Sequence, residues 1–187
     1  AYRNPEHELR ARTIVESIWP NRYITAGHEV LSEYREFERG TAAAVNASVQ
    51  PVLARYLSSL VNELESRGYP HDVLVMRGNG GTVSAQIVAD SAVNTVMSGP
   101  ASGVMAAAYT AQQAKVPNLI TYDMGGTSTD ICLIEGGVPL ERQATQLDEV
   151  KIAVSALDIS ALGAGGGSIA WIDPGGILAL GPHSAGA

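Results

Sequence analysis

The chain has 187 residues, 45% apolar and 17% charged, with a net charge of −7 and a pI near 5.0. That length suffices for one or two domains, each with a core of its own. The acidic balance excludes a strongly basic nucleic-acid surface. The single cysteine, Cys132, excludes an intrachain disulfide framework and points to a reducing, cytoplasmic compartment, and no run of about 18 apolar residues marks a membrane span.

In chain order, Asn4-Pro5-Glu6 reads as a cap with proline in the first helical turn. Leu9, Thr13, Ile14 and Ile18 then predict a buried stripe that ends at Pro20. Residues 22–25 read as extended, and 28–39 are charge-dense and ambiguous. Over 41–67 the apolar positions Val45, Val49, Val52, Leu53, Tyr56, Leu57, Leu60 and Leu64 recur at spacings of three and four, which predicts a helix. Pro51 must kink that helix or begin its main part, and Gly68 closes it. Strands are expected at 72–76 and 93–97, a short helix at 84–90, and a helix of closely packing small residues at 100–113. Six strand candidates follow, at 119–123, 131–135, 138–142, 150–154, 169–172 and 177–180. Gly136-Gly137 and Asp173-Pro174-Gly175-Gly176 read as tight turns between strands.

Composition changes along this path. Nine of the twelve Lys and Arg residues lie at or before Arg77, and seventeen of the twenty glycines lie at or after Gly78. The division read from this is a helical or mixed part over 1–70 and a glycine-rich α/β part over 71–187.

The stretch richest in chemistry is Asp123-Met124-Gly125-Gly126-Thr127-Ser128-Thr129-Asp130, a glycine turn between two strands. Adjacent glycines expose successive N–H groups, which form a concavity suited to phosphate. Thr127, Ser128 and Thr129 add hydroxyls. Asp123 and Asp130 would repel a phosphate unless a divalent cation lay between, and Mg²⁺ held by one or two carboxylates, water and phosphate oxygens meets that demand. The segment alone equally admits a Gly- and Thr-rich hairpin with solvated aspartates. Only two lysines occur, Lys115 and Lys151, and neither follows the glycines of a P-loop.

A small-residue helix placed directly before such a hairpin resembles the superfamily of actin, heat-shock chaperones and sugar kinases. The resemblance narrows with LVMRGNGG (74–81), SGPASGV (98–104), DMGGTSTDICLIEGG (123–137) and LGAGGGSIAWID (162–173), in that order. Together these look like the hydantoinase A/5-oxoprolinase family, from about Glu29 onward. The resemblance implies an α/β fold of the actin-like ATPase (ribonuclease H-like) type, a mixed sheet with flanking helices, present here as a partial domain. It implies ATP-dependent hydrolysis of a cyclic amide, with Gly125, Gly126, Thr127 and Thr129 on phosphate and Asp123 and Asp130 as catalytic carboxylates, Asp123 also on Mg²⁺. Gly165, Gly166 and Gly167 are expected to line the nucleotide site, and Asn79 and Asp158 to face substrate. A B-type partner subunit is expected, with neither nucleic acid nor membrane as partner.

No second D-x-G-G-T loop occurs, so the chain reads as an internal piece of a longer enzyme, inactive on its own. Ser160 stands where family members commonly carry histidine. The alternatives are the ATP-binding subunit of an acetone-carboxylase-type enzyme and a non-catalytic kinase-like or chaperone-like nucleotide module. The run 163–168 departs from G-x-G-x-x-G at Ser168 and precedes a strand, against a dinucleotide fold. The four histidines lack metal-ligand spacing, and Cys132 reads as a small buried hydrophobe.

Overall fold

The computed structural model describes residues 3–147 and 149–186. In chain order its elements are helices α1 (Glu6–Ile18), α2 (Gly27–Val30) and α3 (Glu36–Ser66), strands β1 (Leu74–Met76) and β2 (Thr82–Ser84), α4 (Ala85–Val88), a 3₁₀ turn (Ala92–Thr95) and α5 (Ser98–Ala114). Then follow β3 (Leu119–Met124), β4 (Thr129–Glu135), β5 (Val138–Pro139), β6 (Glu141–Arg142), β7 (Thr145–Leu147), β8 (Val150–Ile152), β9 (Ala156–Leu157), β10 (Ser160–Leu162), β11 (Ser168–Ile172) and β12 (Leu178–Ser184). The mixed helix-and-sheet character agrees with the expected fold class. The chain divides into two compact units, one running to Ser98 and resuming at Arg142–Ala156, the other comprising Gly99–Glu141 and the chain from Leu157 on. The first unit thus runs past the compositional break at residues 77–78.

The first unit is organised by the long helix α3, which carries Pro51 inside it without ending. Its buried face is Ala42, Ala43, Asn46, Gln50, Ala54 and Leu57, whereas Val49, Val52 and Tyr56 of the expected apolar stripe are exposed. The stripe was displaced because a polar residue anchors the packed face. Asn46 is fully buried. Its side-chain amide donates to Thr25 Oγ1 at 2.9 Å and to the Asp90 carbonyl at 3.0 Å, and its oxygen accepts from the Val93 amide at 3.0 Å. The bonds to Asp90 and Val93 draw the segment after α4 onto α3, and the bond to Thr25 ties in the segment before α2. They also place residues 92–95 in a 3₁₀ turn where a strand is expected from sequence. Around this anchor, Ala42, Val93 and Ile152 form one apolar cluster, and Leu57, Ala85 and Val88 another.

The expected buried stripe on α1 is also overturned. None of its described residues is buried, and Leu9, Ile14 and Ile18 are exposed. Polar contacts attach it instead. The Glu8 carboxylate accepts from the His28 amide at 2.9 Å and from Arg39 Nη2 at 3.3 Å, and Arg12 pairs with Glu29. Burial opposes the charge on Glu8, but the bonds from the His28 amide and ring outweigh it and hold its pKa at about 2.

The loop after β1 closes the antiparallel β1–β2 hairpin. A Cβ at Gly78 would fall on the Val96 carbonyl oxygen, so only glycine fits. The Asn79 side-chain oxygen accepts from the Gly81 amide at 3.1 Å, so it braces its own turn.

In the second unit, β4 is central, with antiparallel β3 and β10 on either side and β5 paired to its end. Strand β10 falls in a stretch that reads from sequence as loop. Leu119, Thr121 and Asp123 share a face with Ile134, Cys132 and Asp130 through the β3–β4 register. Cys132 and Ile134 are buried there, as are Ala101, Val104, Ala108 and Ala111 of α5. On the opposite face Ile120 and Tyr122 stay exposed, at 65% and 62%. Strands β11 and β12 form a separate hairpin.

Replacing Asn46 with alanine leaves the Val93 amide and the Asp90 carbonyl without their partner. The expected loss is about 2–4 kcal/mol of unfolding free energy, read by urea denaturation with the first unit's helical signal. A change below about 0.5 kcal/mol would show that Asn46 does not anchor this unit.

Candidate functional site

The site builds from the connection between β3 and β4. Met124 pairs with Thr129, so the four residues 125–128 must reverse the chain. They do so with a Gly125 amide that donates to the Ser128 carbonyl at 2.9 Å. Among the described residues, the amides of Gly126, Thr127 and Ser128 make no hydrogen bond. All three residues are exposed. Three successive N–H groups in solvent form the kind of concavity that takes an anion.

The flanking carboxylates are placed by register. Asp123 and Asp130 are direct cross-strand partners, so both project from the face that carries Cys132 and Ile134. Directly opposed like charges on an antiparallel pair destabilise it, and a cation between them removes that cost. Gly103 of α5 lies beside this carboxylate: a Cβ there would stand in ordinary contact, 3.8 Å from Asp123 Oδ2. Among the described residues no group of three or more Asp, Glu, His or Cys side chains is placed to hold a metal ion. Two carboxylates fit a hard cation that takes its other ligands from water and phosphate.

The glycine run lies against this loop, within the same unit. The Gly166 amide donates to the Gly125 carbonyl and the Gly167 amide to the Gly126 carbonyl, each at 2.9 Å. The Gly165 amide donates to Ser168 Oγ at 2.9 Å. All three amides are therefore engaged by the chain itself. The nucleotide-lining role expected of Gly165, Gly166 and Gly167 therefore does not run through their N–H groups. Thr129 is engaged by the chain in the same way. Its side chain is 2% exposed, and its hydroxyl donates to the Ala164 carbonyl at 2.6 Å, away from any ligand in solvent.

The remaining expected residues divide by unit. Asn79 belongs to the first unit and braces its turn. Asp158 belongs to the second, is exposed, and donates its amide to the Leu140 carbonyl at 2.7 Å. Ser160 pairs with Ile131 across β10 and β4. Cys132 is buried, as expected. Asn46, which begins an Asn-Ala-Ser glycosylation sequon, is fully buried and out of an enzyme's reach. Among the described residues no helix is long and apolar enough to cross a membrane.

Comparison with known proteins identifies the family. The family described as hydantoinase/oxoprolinase matches residues 39–187. The alpha subunit of caprolactamase from Pseudomonas jessenii is 40% identical over 185 residues, which is 99% of this chain and 27% of that protein. A 5-oxoprolinase from Pestalotiopsis fici is 33% identical over the whole chain and 14% of its own length. Among solved structures, the ATP-dependent caprolactamase of Pseudomonas jessenii superposes with a TM-score of 0.83 at 39% identity, covering all of this chain and 27% of that one. Nucleotide-free acetone carboxylase gives 0.79 at 30% identity, covering 99% and 26%. The chain thus spans about a quarter of the caprolactamase subunit that it matches, and the expected α/β fold and family resemblance are borne out.

Opposed carboxylates without a cation predict a measurable strain. In chelator, Asp130→Asn is expected to stabilise the chain by about 0.2–1 kcal/mol, read by chemical denaturation. Added Mg²⁺ should narrow the gap to wild type. Destabilisation in chelator would mean that the Asp130 charge is already compensated within the fold.

Proposed function

The chain belongs to the hydantoinase/oxoprolinase family, and on that premise we propose that it carries a phosphate-binding loop and cation site of an ATP-dependent amidohydrolase acting on a cyclic amide. The observation that carries this reading is the row of three unbonded amides at Gly126, Thr127 and Ser128, flanked by the opposed Asp123 and Asp130. Its similarity to an ATP-dependent caprolactamase supports ATP as the phosphoryl donor.

Amide carbonyls resist hydrolysis because nitrogen donates into them. Transfer of the γ-phosphoryl group of ATP to the carbonyl oxygen releases ADP and leaves an O-phosphorylated imidate with a more electrophilic carbon. One water adds there and the ring nitrogen leaves as the amine, and a second water cleaves the resulting acyl phosphate to carboxylate and phosphate. In such chemistry the protein supplies position and charge neutralisation. The amides of 126–128 orient phosphate oxygens, and the Thr127 hydroxyl can add a donor. Asp123 and Asp130 would hold Mg²⁺, which when bound neutralises phosphate charge. Asp158, in the same unit as this loop, remains a candidate for substrate contact. A partner subunit is part of the proposal, because similar proteins include named subunits of caprolactamase and acetone carboxylase. A reducing, cytoplasmic setting fits the single cysteine.

A carboxylase reading rests on the acetone carboxylase likeness, at 30% identity against 39% for the caprolactamase. The hydrolase reading is therefore the one adopted.

Calorimetric titration of the chain with Mg·ATP tests the proposal. Wild type is expected to bind, Asp123→Ala to lose about tenfold or more in affinity, and Gly126→Val, which crowds the row of amides, to lose binding. Equal heats for all three proteins would remove the phosphate site from this loop.

A further inference from the structure

We propose that Gly165–Gly167, with Thr129, is a positioning element that holds residues 125–128 in their anion-receiving conformation, rather than a second nucleotide contact. The inference deepens the phosphate-loop reading and rests on it for its functional consequence.

Three independent observations carry it. First, the Gly166 and Gly167 amides donate to the Gly125 and Gly126 carbonyls. A peptide plane fixed through its carbonyl has its next N–H directed the other way, so these bonds turn the Gly126 and Thr127 amides outward. Second, the approach is backbone to backbone. A Cβ at Gly165 would stand 2.7 Å from the Gly125 oxygen, the Gly126 carbonyl carbon and the Thr127 nitrogen. At Gly167 it would stand 2.9 Å from the Gly126 oxygen. Any side chain at 165 pushes the two loops apart. Third, Thr129 is buried and ties the base of the phosphate loop to the Ala164 carbonyl. On the same run, Gly163 has open space around its Cβ position and a φ outside the left-handed region, so alanine fits there and serves as the control.

The test compares Gly165→Ala, Gly163→Ala, Thr129→Val and Thr129→Ser with wild type, by amide hydrogen exchange without ligand and by Mg·ATP titration. Gly165→Ala is expected to speed exchange at Gly166 and Gly167 by about tenfold or more and to weaken Mg·ATP by a similar factor, whereas Gly163→Ala matches wild type. Thr129→Val, which leaves the Ala164 carbonyl without its donor, should lose about tenfold in affinity. Thr129→Ser keeps the hydroxyl and should stay within about threefold. A Gly165→Ala chain with wild-type exchange at Gly166 and Gly167 would overturn the proposal. So would Thr129→Val and Thr129→Ser chains that behave alike, a comparison that holds even if Gly165→Ala does not fold. Should wild type itself fail to bind Mg·ATP, the phosphate-loop reading falls, while the exchange data still decide whether the run positions the loop.

Discussion

The close approach of two backbones, at Gly125–Thr127 on one side and Gly165–Gly167 on the other, is the constraint on which the second unit's chemistry depends. A tight reversal between β3 and β4 is by itself ordinary. It becomes a receptor for an anion when its carbonyls are held on one side and its amides are left on the other. Side chains cannot mediate that arrangement at 2.7 Å, the clearance a Cβ at Gly165 would have. Only a second stretch of glycine backbone offers donors at the right depth. The buried hydroxyl of Thr129 closes the arrangement, because a side chain within β4 reaches the carbonyl of Ala164 directly.

The same logic orders the carboxylates. Antiparallel register places Asp123 against Asp130. In the proposed site a cation between the two would relieve the repulsion of like charges. In the first unit a different device is used. There a fully buried asparagine with three hydrogen bonds fixes the loop after α4 and the segment before α2 to the long helix. Buried polar groups with every partner present specify one arrangement more sharply than apolar contacts do.

Much of this was legible in the sequence. The glycine turn with its flanking aspartates, the small-residue helix before it and the order of motifs led to the fold and the family. The parts that were not legible share a cause. Apolar periodicity selects Val45, Leu53 and Leu57, which pack, together with Val49, Val52 and Tyr56, which are exposed, and it passes over the alanines, Asn46 and Gln50 that complete the packed face. The 3₁₀ turn at Ala92–Thr95 follows from a tertiary bond to Asn46, which local propensity does not contain. A glycine run is equally suited to meeting a ligand and to meeting another backbone, so Gly165, Gly166 and Gly167 were read toward the nucleotide. Thr129 was read the same way, because strand alternation does not reveal that the loop at 164 covers it. The retrievable signal was the pairing of two glycine-rich segments in one chain, each needing a partner without side chains.

The account's central claim is that the amides of Gly126, Thr127 and Ser128 receive the anion, the first two turned outward by bonds from Gly166 and Gly167. The most direct measurement is an amide-resolved NMR titration of the ¹⁵N-labelled chain with inorganic pyrophosphate and Mg²⁺. The account predicts saturable shifts concentrated at Gly126, Thr127 and Ser128, with Gly166 and Gly167 protected from exchange throughout. Shifts centred on Gly165–Gly167, with 126–128 unmoved, would contradict it.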